Sequence, residues 1–186
     1  MITITVKETL LATAGELGLY DSVSAYLEGG DASGKETVDN LLRCFDTVEN
    51  ELALDYFPLY AEEEVETDTG CVYYSELSRS AVRVVKVEDG WGNDVPFRLF
   101  PEYLKTQGGR IKIRYSYAPV KKTLQGCSDY RTQVSARLFS YGMAAEYCLS
   151  QGLFEEAAVW NKKYKDAIGM AYRNNPCKIL QSRRWI

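Results

Sequence analysis

Apolar side chains return every three or four residues in five stretches of the chain, and each stretch predicts a helix with one buried stripe. The first opens at Thr5-Val6-Lys7-Glu8, which has the form of a capping box, and continues through Val6, Leu10, Leu11, Ala14 and Leu17. Gly18 interrupts the pattern. Leu19, Val23, Tyr26 and Leu27 resume it, with Asp21 as the candidate N-cap and Gly29-Gly30 as the stop before a GGDASG loop. From Gly34 to Phe57 the stripe is Val38, Leu41, Leu42, Phe45, Val48, Leu52 and Tyr56, and Pro58 closes it because proline has no amide to donate. Their polarity assigns Glu36, Asp39, Asp46, Glu49 and Asp55 to the other, solvent face of that helix.

The period then changes from about 3.6 to 2. Between Arg110 and Tyr117, Ile111, Ile113, Tyr115 and Tyr117 alternate with Arg110, Lys112, Arg114 and Ser116, which predicts a half-buried strand. Ala81 to Val87 is rich in β-branched residues and reads as a second strand, turning at Asp89-Gly90-Trp91-Gly92-Asn93-Asp94 into a return strand over Val95 to Phe100. Glu62 to Thr67 fits an edge strand, its glutamates discouraging sheet-to-sheet sticking. Helical spacing returns after Pro119. Asp129 is the candidate cap of a helix carrying Val134, Leu138, Tyr141, Ala145 and Cys148 or Leu149, and Gly152 breaks it. A further helix carries Phe154, Ala157, Ala158, Trp160, Tyr164, Ala167, Ile168 and Ala171 up to Asn174-Asn175-Pro176, and so short a break predicts an antiparallel helical hairpin.

These elements give an α+β fold: a mainly helical bundle in one domain over residues 1–173, a small antiparallel sheet inserted at about 59–118, and an extended C-terminal arm over 174–186. The arm combines Ile179, Leu180, Trp185 and Ile186 with Lys178, Arg183 and Arg184. It is too short to fold alone, and its tryptophan and arginines are the residue types that concentrate at binding hot spots. A partner for the arm is therefore expected, and folding back on its own domain is the alternative.

Composition narrows the chemistry. The 186 residues contain no histidine, which removes Ser-His-Asp and Cys-His nucleophilic sites and His-ligated zinc or iron. Cys44, Cys71, Cys127, Cys148 and Cys177 are odd in number and form no C-x-x-C pair, so they read as reduced, buried filler in a cytosolic protein. No apolar run is long enough to span a bilayer and no secretory leader is recognisable, so a soluble, unprocessed chain with no membrane association is expected. Glu62-Glu63-Glu64 lacks the spaced ligands and central glycine of a calcium loop, and Gly90-Trp91-Gly92 and Gly108-Gly109 lack a phosphate-loop pattern. Neither a metal nor a cofactor is expected.

The net charge of −4 argues against whole-surface nucleic-acid binding, but the charge is polarised along the chain. Ten acids and no Lys or Arg lie between Cys44 and Ser78, whereas Ala167 to Ile186 holds four basic residues and no acid. Long single-sign stretches are often plain solvated faces. The functional alternative is docking of a basic arm on an acidic surface.

The helical frame with an inserted β element, the segment AEYCLSQGLFEEAAVWNKKYKDAIGMAYR and the basic terminal arm PCKILQSRRWI resemble the head-tail connector (adaptor or head-completion) proteins of tailed phages and prophages. The layout covers most of the chain; the residues that resemble the family are those of the last helix and the arm. The resemblance implies a non-enzymatic virion protein of the neck, assembled in the host cytoplasm. It implies a homo-oligomeric ring, dodecameric in form, which meets the portal protein and tail or neck proteins and passes DNA without sequence-specific binding. It places Ile179, Leu180, Arg183, Arg184, Trp185 and Ile186 in the docking role, with Trp160, Lys163 and Tyr164 as secondary candidates. Glu62, Glu63, Glu64 and Glu66 then become a candidate channel or inter-subunit acidic surface. Two other classes stay open: a cytosolic interaction module whose arm binds one partner, and a small enzyme working through carboxylates, tyrosine or a lone cysteine.

Overall fold

The computed structural model describes residues 3–30, 32–132 and 134–174. The fold is α+β, as the patterning indicates, with five α-helices and two small antiparallel sheets among the described residues. The chain divides into two compact units, one formed from Met1–Glu49 and Lys121–Ile186, the other from Asn50–Val120. The β insertion is thus a unit in its own right and takes the end of the third helix with it.

The first unit holds α1 (Val6–Glu16), α2 (Tyr20–Gly29), most of α3 (Lys35–Glu51), α4 (Ala136–Ser150) and α5 (Phe154–Asn174). Thr5 caps α1, its Oγ1 accepting from the Glu8 amide at 3.4 Å while its hydroxyl donates to the Glu8 carboxylate at 2.6 Å. The buried stripe of α1 includes Thr9 and Thr13 beside Val6, Leu10 and Ala14. Both threonines are tolerated there because each hydroxyl donates to the carbonyl four residues back, Thr9 to Thr5 and Thr13 to Thr9. At the end of α1, Leu19 N–H reaches Ala14 O at 2.7 Å and Gly18 N–H reaches Gly15 O, with Gly18 at φ +71°. This paired motif satisfies the last carbonyls and requires the left-handed conformation at Gly18, which only glycine adopts without strain. The α4–α5 turn repeats it, with Leu153 N–H on Cys148 O, Gly152 N–H on Leu149 O and Gly152 at φ +74°. Two rings define the centre of the unit: Phe45 of α3 and Phe139 of α4 stack at 4.9 Å, and Tyr130 meets Phe139 edge-on at 6.2 Å.

The second unit is built on two three-stranded antiparallel sheets. One has the order β1 (Leu59–Thr67), β6 (Gly109–Tyr117), β3 (Ala81–Asp89); the other has β2 (Cys71–Tyr73), β5 (Tyr103–Lys105), β4 (Arg98–Leu99). Alternation decides the faces. Ile111, Ile113 and Tyr115 of β6 point into a core shared with Val84, Val87, Val72, Leu104 and Val95. Two register shifts in the β3–β6 pairing, at Val82 and Val85, leave both valines exposed and bulge that edge strand.

Several expectations are corrected. Asp21 lies in the first turn of α2, where its charge suits the helix dipole, and the N-cap position is Leu19. Asp129 caps nothing: α4 begins seven residues later behind Ser135, whose Oγ accepts from the Leu138 amide at 3.3 Å. The last turn of the third helix, Leu52–Tyr56, widens to a π-turn closed by Phe57 N–H on Leu52 O at 2.6 Å before Pro58 stops it. The return strand after Trp91 pairs with β5 and meets β3 near the turn, through the Glu88–Asp94 bridge, the Asp89 amide on Asn93 O, the Val95 amide on Val87 O and the Lys86–Asp94 ion pair. Glu49, assigned to the solvent face, is fully buried.

Candidate functional site

Within the first unit, the buried Glu49 organises the loop over residues 121–135. Its Oε1 accepts from the Ser128 hydroxyl at 2.6 Å and from the Asp129 amide at 2.8 Å. The Lys122 ammonium, itself 7% exposed, lies 2.9 Å from Asp129 Oδ1 and 3.6 Å from Glu49 Oε2, and the Lys122 amide donates to Asp46 Oδ1 at 2.9 Å. Burial raises the Glu49 carboxyl above its ordinary value, more than the Ser128 and Asp129 hydrogen bonds and the Lys122 charge lower it. The same loop is stitched to the start of α1 by Val6 N–H on Gly126 O and Ser128 N–H on Ile4 O, around a bridge between Thr5 and Cys127. This cluster anchors the loop: the Lys122 ammonium lies between two carboxylates, nearer Asp129 than Glu49, and all three groups are largely withdrawn from solvent.

The α4–α5 hairpin presents the most distinctive surface. Arg137 Nε donates to Tyr141 Oη at 2.6 Å, with its guanidinium 5.3 Å from the ring centre. The Lys163 ammonium sits 3.8 Å over the Trp160 ring and 5.7 Å from that of Tyr141, and the two rings are 5.8 Å apart. Two of the secondary candidates, Trp160 and Lys163, therefore meet in one cation–aromatic stack. Tyr164 is separated from them, buried against α4 at Gly142. Spacing within each helix, Arg137 to Tyr141 and Trp160 to Lys163, was legible from sequence; that the two pairs face each other was not. Around the hairpin turn Leu149 and Leu153 are about half exposed and Phe154 is 70% exposed, with Glu155 and Glu156 beside them in the first turn of α5. Val159 and Met170 are exposed farther along α5. The arm residues Ile179, Leu180, Arg183, Arg184, Trp185 and Ile186 lie outside the described residues.

The acidic row divides across its sheet. Glu62, Glu64 and Glu66 share the solvent face of β1 and stand opposite Arg114, Lys112 and Arg110 of β6. Lys112 pairs with Glu62 at 2.5 Å, Arg114 approaches Glu62 at 3.7 Å, and Arg110 pairs with Glu64. Lys112, by hydrogen bond first and charge second, lowers the Glu62 carboxyl pKa. Glu63 is on the other face, accepting from Tyr115 Oη and from the Ser78 amide and hydroxyl. Along β1 and β6 three cations thus stand against three anions, which is a mixed-charge ladder where the sequence suggested an acidic belt. The alternation of Arg110, Lys112 and Arg114 was legible and mirrors that of the glutamates; the register that sets the two rows opposite each other was not.

A further exposed aromatic stands in the same unit. Trp91 is 89% exposed at the tip of a turn locked by Asp89, whose carboxylate accepts from the Trp91 and Asn93 amides at 2.9 and 2.8 Å and from Asn93 Nδ2 at 3.0 Å.

The cysteines are not uniformly buried filler. Cys44 and Cys148 are buried, Cys71 is half-buried, Cys127 is exposed, and Cys177 lies outside the described residues. Burial, and after it the Glu146 carboxylate, push the Cys44 thiol up to about 11. Cys44 is therefore a thiol at neutral pH, and a thiol is a poor nucleophile. Alkylation of the folded chain with iodoacetamide at neutral pH, mapped by peptide mass spectrometry, is expected to label Cys127 well before Cys44 or Cys148; equal labelling of the three would contradict this packing.

Among the described residues no group of three or more His, Cys, Asp or Glu is placed to hold a metal ion, and no helix is long and apolar enough to cross a membrane. Neither a scan against protein-family models nor a search of curated proteins finds a match to this chain.

Proposed function

We propose that this chain is a structural, non-enzymatic subunit of a tailed-phage head-tail connector, forming a ring under the portal in the virion neck and continuing the DNA channel toward the tail. The observation that carries the reading is the outer side of the α4–α5 hairpin. Phe154, Val159 and Met170 stand exposed on a 21-residue helix whose buried stripe is already complete in Ala157, Tyr164 and Ile168. Apolar side chains outside a satisfied stripe are what a subunit or partner contact requires. The segment bearing them is also the one that resembles the connector family, and it leads directly toward the arm. A dodecamer is the ring this resemblance implies, with the portal and the tail or neck proteins as partners and DNA passing without sequence-specific contacts. In this reading the β1–β6 ladder is a solvated channel or inter-subunit face whose mixed charge gives passing phosphates no basic track to adhere to.

The test is negative-stain imaging with mass determination of the full-length chain, alone and with a tailed-phage portal protein. Closed rings, free or seated on the portal, are the expected result. A strict monomer in both preparations would remove the connector reading and favour the single-partner interaction module, for which Trp91 on its locked turn is the natural contact.

A further inference from the structure

The smaller sheet of the second unit has two faces of opposite character. Val72 and Leu104, paired across β2 and β5, point into the core and are each 1% exposed. Their neighbours along each strand turn outward by alternation. The register sets Tyr73 against Tyr103 and Cys71 against Lys105, and on the far side of β5 it sets Arg98 against Lys105. Phe100 follows β4 at once, its amide donating to Tyr103 O at 2.9 Å. The outward face therefore carries two rows that cross all three strands: the rings of Tyr73, Tyr103 and Phe100, and beside them Cys71, Lys105 and Arg98.

The rings form a continuous series. Tyr103 stacks on Phe100 with centroids 4.8 Å apart and planes 13° from parallel, and Tyr73 lies 5.7 Å from Tyr103 at a tilt of 54°. The two outer rings, Tyr73 and Phe100, are 47% and 40% exposed, at opposite edges of a sheet with no further strand among the described residues. Exposed rings grouped in this way mark a contact face. The second row says what kind of partner the face fits. Lys105 Nζ donates to Thr69 O at 2.8 Å and meets Cys71 Sγ at 3.4 Å, neither of which neutralises it. Among the described residues, neither Lys105 nor Arg98 forms an ion pair. Of the acids close by in sequence, Glu76 is turned to the Tyr73 amide, and Glu102 lies in the turn at the aromatic end, away from the cations. The face is thus aromatic and positive in a chain whose net charge is −4.

We infer that this face binds single-stranded DNA, with bases stacked on the outer rings and phosphates on Lys105 and Arg98. The two rows lie two residues apart along the strands, about 7 Å, so one strand of nucleic acid can engage both. An acidic peptide would satisfy the cations and leave the rings uncovered. A duplex would offer phosphates but keeps its bases stacked inside. DNA is favoured over RNA because the six outward residues include no amide or carboxylate to fix a 2′-hydroxyl. The inference goes beyond the connector reading and stands or falls without it.

The test is fluorescence anisotropy of a labelled thymidine oligonucleotide, about twelve nucleotides long, titrated with the full-length chain. An abasic strand of the same length and charge is expected to bind about tenfold more weakly, and so is the thymidine strand to a variant carrying Tyr73→Ala and Phe100→Ala, whose fold is checked by far-UV circular dichroism. The logarithm of the affinity should fall with that of salt concentration at a slope of about −1.4 for two phosphates, and of about −0.7 in Arg98→Ala. The unaltered chain supplies a footprint: bound oligonucleotide should slow iodoacetamide labelling of Cys71, which stands in the cation row, and leave the rate at Cys127 unchanged. Absence of binding would overturn the inference, as would an abasic strand, a duplex or polyglutamate that binds as tightly as the thymidine strand. A uridine strand that binds more tightly would reassign the face to RNA and overturn the commitment to DNA. Binding that leaves Cys71 unprotected would place the DNA on another surface and overturn it equally. None of these outcomes bears on the rings expected on the portal, which test the connector reading separately.

Discussion

Replacing Glu49 with leucine is expected to lower the stability of the helical unit by about 3–5 kcal/mol, the range measured when one member of a buried ion pair is removed. Leucine fills a similar volume but accepts nothing. The Ser128 hydroxyl and the Asp129 amide lose their shared acceptor, and Lys122, 7% exposed, keeps its charge with only part of its compensation. Because those partners lie on the loop bridged to the start of α1, the loss should also free that loop. Urea denaturation followed by far-UV circular dichroism reads the stability, and hydrogen exchange at the Ser128 and Asp129 amides reads the loop; a midpoint within error of the parent would show that the cluster holds nothing.

Glu49→Gln separates charge from hydrogen bonding, since its amide oxygen can still accept from Ser128 and Asp129. Burial places the folded-state pKa of Glu49 above its unfolded value. Its contribution to stability is therefore complete below the unfolded carboxylate range, near about 4.3, and is lost as pH rises through the folded value. Glutamine has no proton to lose. The difference between the two proteins should move in favour of glutamine as pH is raised from about 4 to about 7, and movement in the opposite direction would mean that the Lys122 charge outweighs burial.

The second large effect is expected at Gly142, in the middle of α4. A Cβ there would lie 2.9 Å from Tyr164 Cε2 of α5 and 2.9 and 3.0 Å from the two Cγ atoms of Val48 on α3. All three helices converge on this one missing side chain. Gly142→Leu is expected to cost about 3 kcal/mol or more, the upper end of overpacking penalties, because a full side chain must displace two others from a close-packed centre. Gly142→Ala should be far milder, since the roughly 0.5–1 kcal/mol that alanine gains over glycine in a helix offsets part of the crowding. Thermal melts of the two variants check the order; a leucine variant as stable as the alanine one would mean that the three helices separate freely here.

The helical stripes and the β6 alternation were legible because they depend on local period alone, and the period survives whatever packs against it. Val38, Phe45 and Leu52 had to share a face, and Ile111, Ile113 and Tyr115 had to share another. Glu49 sits between Phe45 and Leu52 at helical spacing, so its place on the apolar stripe was also written in the period. What hid it was polarity: a carboxylate in a stripe is expected to turn outward unless partners exist, and its partners come from residues 122–129, more than 70 positions away. Asp129 failed as a helix cap for the same reason, its amide and carboxylate being engaged by Glu49 and Lys122.

The candidate surfaces divide along the same line. The glutamates of β1 and the cations of β6 each announced an exposed face, but a one-dimensional pattern carries no register, and only the pairing of Glu62 with Arg114 and Glu64 with Lys112 turned two charged rows into one balanced ladder. By itself the sequence determined the α+β class, the positions of the helices and main strands and the absence of histidine chemistry. The tertiary structure alone decided which polar groups could be buried, which charges cancel and which aromatics meet. Those outcomes depend on distances between residues far apart in the chain, and hydrogen bonds and ion pairs act over only a few ångströms.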